Sequence, residues 1–175
     1  TFTFLLVICV FSYNVAAAEK EKEMEVGITE HLDEYLPSDI TLTDHTGNVV
    51  NLKKLIDKPT VICFVYYRCP GICSPLMNGL AETIGNTDLA LGKDYQVFTI
   101  SFDSRESYDL AEKKRNTYLK KIKQQDGSGW TFFTADSANV AKVTDALGFG
   151  FKFVNNEFMH EGALMMISPE GKITR

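Results

Sequence analysis

Thr60-Val-Ile-Cys-Phe-Val-Tyr-Tyr67 runs directly into Arg68-Cys-Pro-Gly-Ile-Cys-Ser-Pro75. The first eight residues are almost all apolar, β-branched or aromatic, which is typical of a central strand buried on both faces. The closing Ser-Pro pair is typical of a helix start, with the serine as N-cap and the proline at the first helical position. Cys69 and Cys73 are therefore predicted to lie in the turn between a buried strand and a helix.

Strands and helices alternate on both sides of this turn. Helices are predicted to begin near three serines, Ser74, Ser104 and Ser137. Strands are predicted at residues 40–50 (as a hairpin), 95–102 and 130–133, and two more around a turn at residues 168–171. This order predicts an α/β fold, with a central mixed β-sheet flanked by helices and an N-terminal β-hairpin.

The composition fits one globular domain. The chain has 175 residues, of which 45% are hydrophobic and 23% are charged. Its formal net charge is −5, and an acidic chain lacks the basic surface that binds nucleic acid. We therefore expect no nucleic-acid partner.

The first 18 residues differ in character from the rest. They form an uncharged, apolar run that ends in Ala16-Ala-Ala18, as a signal peptide does before its cleavage site. A membrane anchor is the alternative, and because residue 1 is not methionine we expect this segment to be N-terminally incomplete. Either assignment predicts export to a bacterial periplasm, with the domain soluble or anchored to the inner membrane. We predict that residues 19–36 form a tether and that residues 37–175 form a domain, which we expect to be C-terminally incomplete.

The cysteine pair suggests two kinds of chemistry. A helix N-terminus favours thiolate over thiol, and Arg68 adds positive charge. Thiolates attack disulfides and bind soft metal ions, so the two cysteines can act either as a redox pair or as part of a metal site. Redox enzymes of the thioredoxin class use Cys-x-x-Cys, whereas three residues separate Cys69 from Cys73, which favours a metal site. A structural disulfide is the remaining alternative, and Cys63 is predicted to be an inert core thiol.

His160 is the candidate for a third metal ligand. It precedes an apolar strand predicted at residues 163–167, whose entrance faces the cysteine turn in a thioredoxin-like sheet. Thioredoxins carry a cis-proline there, but no proline occurs between Pro75 and Pro169. Two thiolates suit Cu(I), and an added imidazole allows Cu(II) as well. Zinc accepts the same ligands but usually takes four.

These motifs resemble those of the Sco/SenC family. The matching segments are residues 67–75, residues 101–105, and the His160 segment that leads into residues 167–171. The family consists of exported thioredoxin-like proteins that help to assemble the copper site of cytochrome c oxidase. The resemblance implies a thioredoxin-like fold, and it implies that the two cysteines and the histidine bind copper.

The resemblance also implies that Asp103 lies near the metal ligands Cys69, Cys73 and His160. The family has an aspartate near its copper site after the second central strand, and an anionic group there orients a ligand or balances charge. A plain turn before a helix is the alternative for this residue. Family members usually have proline after this aspartate and commonly aspartate before the histidine, where this chain has serine and methionine. Neither change removes a ligand.

Three functions follow as hypotheses. The first is a copper metallochaperone, rather than an enzyme with a small substrate, that passes copper to the copper-binding subunit of cytochrome c oxidase. The second is a thiol-disulfide oxidoreductase that keeps target cysteines reduced, with Cys69 and Cys73 as its redox pair. The third is a thiol peroxidase. The lack of a peroxidatic motif around either cysteine counts against it. A further copper chaperone or a thiol reductant is a candidate partner.

Overall fold

The structure is a computed structural model that describes residues 25–122 and 126–175. The strands are β1 (Gly27–Ile28), β2 (Thr41–Asp44), β3 (Val49–Asn51), β4 (Thr60–Val65), β5 (Gln96–Ser101), β6 (Trp130–Thr134), β7 (Phe149–Val154), β8 (Glu157–His160) and β9 (Leu164–Ile167). The helices are α1 (Leu52–Leu55), α2 (Cys73–Asn86), α3 (Tyr108–Leu119) and α4 (Ser137–Ala146).

A six-stranded mixed sheet forms the centre of the domain. Its strand order is β3-β2-β6-β5-β4-β9, in which β4, β5 and β6 run parallel while β2 and β9 are antiparallel to their neighbours. All six residues of β5 and five of the six in β4 are buried, which confirms the prediction of a strand covered on both faces. With its flanking helices and the β2–β3 hairpin, this sheet confirms the predicted α/β fold.

Aromatic side chains from β6 fill the core beside this sheet. Trp130, Phe132 and Phe133 have no exposed surface, and burial of such large apolar side chains is a main source of folding free energy. The indole Nε1 of Trp130 donates a hydrogen bond of 2.9 Å to Oγ1 of Thr99, so its one polar group is satisfied. The core therefore holds β5 and β6 together beneath the cysteine turn.

A second, three-stranded sheet carries His160 and was missed by the sequence analysis. Its order is β1-β7-β8, and β7 and β8 form an antiparallel hairpin in which Phe151 pairs with His160. Asn155 and Asn156 form the two-residue turn with φ angles of 51° and 68°. Positive φ at both turn residues is typical of the tight hairpin turns that match strand twist. The hairpin therefore brings His160 to the end of a strand rather than to a loop.

Two helices begin at positions other than the predicted ones. Helix α2 starts at Cys73, with no side-chain hydrogen bond at its N-cap, so the prediction that Ser74 is the N-cap is wrong. Pro75 is tolerated because the first-turn N–H groups have no partner within the helix. Helix α3 starts at Tyr108 rather than after Ser104, because residues 103–106 form a turn of their own.

The N-terminal described residues pack on the domain. A tether was predicted at residues 19–36, of which 25–36 are described. Within these, Gly27–Ile28 forms β1 and pairs with β7, and the side chain of Leu36 is buried. The predicted signal peptide or anchor at residues 1–18 lies outside the described residues. Among the residues that are described, no helix has the length and apolar character needed to cross a membrane.

The C-terminal residues match their prediction in part. Strand β9 is present, and the predicted turn is closed by a hydrogen bond of 2.9 Å from Gly171 N to Ser168 O. The second predicted strand is reduced to two isolated bridges, one between Lys172 and Tyr35 and one between Ile173 and Ile167. Strand β9 pairs antiparallel with β4, which places the segment before it beside the cysteine turn.

Candidate metal centre

Cys69, Cys73 and His160 meet in the structure as the sequence predicted. Their ligand atoms, two Sγ atoms and one imidazole nitrogen, all lie within 4.8 Å of one another. Sγ of Cys73 lies 3.5 Å from Nε2 of His160. Two sulfurs and a nitrogen at this spacing form a group of side chains that could hold one metal ion.

The turn after β4 positions the two cysteines. The backbone N–H of Cys69 donates to the carbonyl of Tyr66 over 3.1 Å, which closes a tight turn at the strand end. Gly71 N donates to Sγ of Cys69 over 3.4 Å, so the loop folds back on the sulfur. Cys73 follows as the first residue of α2. The short loop and the helix start therefore direct both sulfurs to the same place.

The hydrogen bonding of His160 fixes which of its nitrogens faces the sulfurs. Nδ1 lies 2.9 Å from the carbonyl oxygen of Glu161, and a carbonyl only accepts hydrogen bonds, so Nδ1 carries the proton. In the neutral ring Nε2 then has a free lone pair, and this is the atom nearest Cys73. A histidine whose other nitrogen is held by a carbonyl is the usual arrangement of a metal ligand.

Aromatic rings enclose the imidazole of His160. Its centroid lies 5.0 Å from that of Phe102, 5.7 Å from that of Tyr66 and 6.3 Å from that of Phe149. The first two contacts are edge-on, with interplanar angles of 62° and 80°. Rings packed in this way limit rotation of the imidazole, so the ligand is held in place before any ion arrives.

The two cysteines differ in exposure. Cys69 is partly exposed and Cys73 is buried, and both are free thiols. Burial and the hydrogen bond with Cys69 raise the pKa of the Cys73 thiol above its ordinary value. The sequence analysis expected the helix start to favour the thiolate. For Cys73 this expectation is wrong in the metal-free protein, because burial of the sulfur disfavours its charged form. A bound cation would reverse the balance, since metals deprotonate coordinating thiols.

A cleft of about 280 Å³ leads to the ligands from the surface. Its lining includes Cys69 and His160 together with the exposed side chains of Ile72 and Met159. Tyr66 also lines it, and burial and a hydrogen bond to Cys69 raise the pKa of its phenol to about 12. The sulfur of Cys69 is therefore the candidate ligand atom that a molecule entering the cleft contacts first.

Asp103 pairs with Arg105 rather than with a metal ligand. Its Oδ1 accepts from Arg105 Nε over 2.7 Å, and its Oδ2 accepts from Arg105 Nη2 over 2.8 Å. Burial acts to raise the pKa of Asp103, but the hydrogen bonds from Arg105 outweigh it, and the pKa lies below its ordinary value. Asp103 lines a cleft with Tyr66 and Arg68 beside the cysteine turn. A role in orienting a ligand stays a prediction.

Glu106 contacts the cysteine turn and was missed by the sequence analysis. Its carboxylate accepts hydrogen bonds from the backbone N–H groups of Tyr67 and Arg68. The guanidinium of Arg68, expected to favour the cysteine thiolates, lies 3.9 Å from this carboxylate. Nothing in the sequence marks Glu106, because a glutamate just before a helix is ordinarily solvated.

The family model described as SCO1/SenC matches residues 29–175 of the chain. The chain belongs to the SCO1/SenC family. No curated protein matches it. The family assignment confirms the resemblance seen in the motifs, and the match includes both cysteines and the histidine within its limits.

Solved structures similar to this SCO1/SenC protein share its fold. A crystal structure from Aquifex aeolicus VF5 is 32% identical, covers 82% of each chain and superposes with a TM-score of 0.73. ScoI of Arabidopsis thaliana with copper bound is 21% identical, with a TM-score of 0.62 over 78% of this chain and 83% of that one. BsSco, described as a member of the Sco family of cytochrome c oxidase assembly proteins with a disulfide switch, is 18% identical, with a TM-score of 0.65 over 85% of each chain. The fold is therefore thioredoxin-like, as predicted.

The donor set of this SCO1/SenC protein fits copper. Two thiolates are soft ligands that suit Cu(I), and the imidazole Nε2 adds a ligand suited to Cu(II) as well. The group offers three donors, whereas structural zinc sites are usually closed by four. Copper is therefore the ion that this group of side chains matches best.

Proposed function

We propose that this protein binds copper through Cys69, Cys73 and His160 and delivers it to the copper centre of cytochrome c oxidase. The observation that carries the proposal is the convergence of the three ligand atoms within 4.8 Å of one another. Membership of the SCO1/SenC family supports it. So do the copper in the Arabidopsis relative and the description of BsSco as belonging to a family of oxidase assembly proteins.

Three ligands and a surface cleft suit an ion that is carried rather than kept. A site with three protein ligands leaves a position open for a ligand from another molecule. The cleft meets Cys69 and His160, while Cys73 lies buried behind them. A receiving protein can therefore attach its own ligand to the ion before this chain releases it. The partner that we propose is the copper-binding subunit of the oxidase, with a second copper chaperone or a thiol reductant on the supply side.

The place of action is also part of the proposal. The apolar run at residues 1–18 supports export to a bacterial periplasm, either with cleavage after residue 18 or with retention as an anchor to the inner membrane. Oxidising compartments allow disulfides to persist, so the free cysteine pair would need protection by copper or by a reductant there.

Thiol-disulfide exchange is the second candidate function. Cys69 and Cys73 are both free thiols within reach of one another, which favours it. In such a step the two thiols become a disulfide and give two electrons and two protons to a disulfide in the partner, which becomes two thiols. Copper and this disulfide need the same sulfurs, so each excludes the other. Within the described residues there is no cis peptide bond, in line with the absence of the thioredoxin cis-proline.

A titration of the reduced protein with Cu(I) tests the leading proposal. We expect about one ion per chain, with thiolate-to-copper absorption, because the described part of the chain holds one such group of side chains. The Cys69→Ser/Cys73→Ser double variant should bind none, while Cys63→Ala, which removes a buried thiol outside the group, should bind as wild type does. Absence of binding by the wild-type protein would overturn the proposal. Rapid reduction of insulin without copper binding would favour the oxidoreductase, and peroxide turnover with a thiol donor would favour a peroxidase.

A further inference from the structure

Glu106 is a buried glutamate next to the metal centre for which the proposed function gives no role. It lies between β5 and α3, and its side chain has no exposed surface. Carboxylates are almost never fully buried unless they are paired. The groups that pair with it are therefore a guide to what this residue does.

Three donors converge on the Glu106 carboxylate. Oε1 accepts from the backbone N–H of Arg68 over 2.9 Å. Oε2 accepts from the backbone N–H of Tyr67 over 2.7 Å and from Oγ of Ser101 over 2.6 Å. Hydrogen bonds to an ionised acceptor are about twice as strong as those between neutral groups. The two backbone bonds therefore fix two consecutive peptide units against the end of β5.

These two peptide units form the middle of the turn that carries Cys69. The turn runs from Tyr66 to Cys69 and is closed by the hydrogen bond of 3.1 Å between Cys69 N and Tyr66 O. Strand β4 ends at Val65, so the N–H groups of Tyr67 and Arg68 lie beyond the sheet ladder. Buried N–H groups without a partner are costly. The carboxylate of Glu106 supplies the acceptors for these two N–H groups, which the sheet ladder does not reach.

We propose that Glu106 is a positioning residue of the metal centre, which holds the Tyr66–Cys69 turn so that the Cys69 sulfur faces Cys73 and His160. Ser101 holds the carboxylate from the other side, and the guanidinium of Arg68, 3.9 Å away, balances its charge. The inference rests on the proposed function, because it concerns where a ligand of that site lies. Glu106 itself does not contact the ligand sulfurs through any of these bonds.

Hydrogen exchange of the metal-free, reduced protein tests the hold on the turn directly. Glu106→Gln keeps the size of the side chain but replaces one acceptor oxygen with an NH₂ group, which cannot accept from a backbone N–H. Because Tyr67 N and Arg68 N donate to different oxygens, we expect at least one of these two amides to exchange at least about tenfold faster in this variant. The amide of Val97, which donates to Gly129 O over 2.8 Å, should be unaffected and reports global unfolding.

Cu(I) affinity, measured by competition with a chelator, tests the consequence for the site. Glu106→Gln should lower the affinity at least about tenfold, because one ligand loses its fixed position. Asp136→Ala is the matched control. It removes the N-cap of α4, where Asp136 accepts from Asn139 N over 2.8 Å, and so lowers stability without touching the turn. Its Cu(I) affinity should stay within about twofold of wild type.

The outcomes separate this inference from the proposed function. Unchanged exchange of both turn amides in Glu106→Gln, or a Cu(I) affinity within about twofold of wild type, would overturn the positioning role. An equal loss of affinity in Asp136→Ala would overturn it too. If the wild-type protein binds no copper while the turn amides respond as expected, the proposed function fails and the anchoring of the turn stands.

If Glu106→Gln does not fold, Glu106→Asp is the second variant. It shortens the side chain by one methylene and is expected to release at least one of the two amides.

Discussion

Nε2 of His160 lies 3.5 Å from Sγ of Cys73, although 87 positions of the chain separate the two residues. Cys73 begins α2, which follows strand β4 of the central six-stranded sheet, and His160 ends β8 in the smaller sheet. The proposed metal centre therefore depends on how the two sheets are packed, and aromatic rings such as Phe102 make that packing. Four predictions follow from this arrangement and from the core beneath it.

Replacement of His160 by alanine should weaken Cu(I) binding more than about 100-fold, because even the outer partners of metal ligands are worth roughly 10- to 100-fold. The measurement is chelator competition on the reduced protein. His45→Ala is the control, since His45 lies in the turn between β2 and β3. Equal affinities for wild type and His160→Ala would show that the histidine is not a ligand.

Alkylation of the metal-free protein should modify the cysteines in the order of their exposure. Cys69 is partly exposed and should react first, whereas Cys73 is buried. Cys63 is fully buried, and burial raises the pKa of its thiol to about 12, so it should react only after unfolding. Mass spectrometry of iodoacetamide-treated peptides gives the order, and bound Cu(I) should protect Cys69. Native labelling of Cys63 as fast as Cys69 would contradict the structure.

Asp103→Asn should reduce the dependence of stability on acidic pH. The folded-state pKa of Asp103 lies below its ordinary value of 3.8, so its contribution is complete above that pH and is lost as pH falls through the folded pKa. The loss at neutral pH should be on the order of 1 kcal/mol, because its partner Arg105 is largely exposed. Urea unfolding from pH 6 to pH 2 measures it. The exposed Asp88→Asn serves as control and should keep the wild-type slope.

Trp130→Phe should lower the free energy of unfolding by about 2 kcal/mol, because it leaves a gap in the core and removes the hydrogen bond to Thr99. Urea unfolding followed by circular dichroism measures the change. Copper stoichiometry should remain as in wild type, since neither side chain is a ligand in the proposed site. A variant as stable as wild type would mean that the indole is not packed as described.

The sequence could predict which side chains form the candidate metal centre, because the chemistry of these residues is local. Cys69 and Cys73 are close in the chain, and a buried strand followed by a helix start defines the turn that holds them. His160 was predicted from its residue type and its place before an apolar strand. Its surroundings were not predicted, because they depend on the β7–β8 hairpin, whose signal is an Asn155-Asn156 turn between aromatic alternating runs. That signal was present and was overlooked.

The features that were missed are tertiary. Burial of Cys73 depends on neighbours from several elements, and it changes the direction of the pKa shift that a helix start alone predicts. The buried carboxylate of Glu106 is paired with two backbone N–H groups just after β4 and with the hydroxyl of Ser101. A glutamate before a helix carries no mark of such a partner in the sequence. Local patterns therefore identify the candidate ligands but not the buried residues that contact the turn beside them.

The candidate ligands lie in separate parts of the fold, the β4–α2 turn with the start of α2 and the end of β8, and this has a mechanical consequence. An ion bound by Cys73 and His160 would join positions 87 residues apart, as a reversible cross-link between the start of α2 and the β7–β8 hairpin. Cross-links over long loops restrict the unfolded chain, and any ion that binds only the folded state shifts the folding equilibrium. The copper-bound protein would then be more rigid than the copper-free protein. Release of the ion would allow the β7–β8 hairpin to move more freely again.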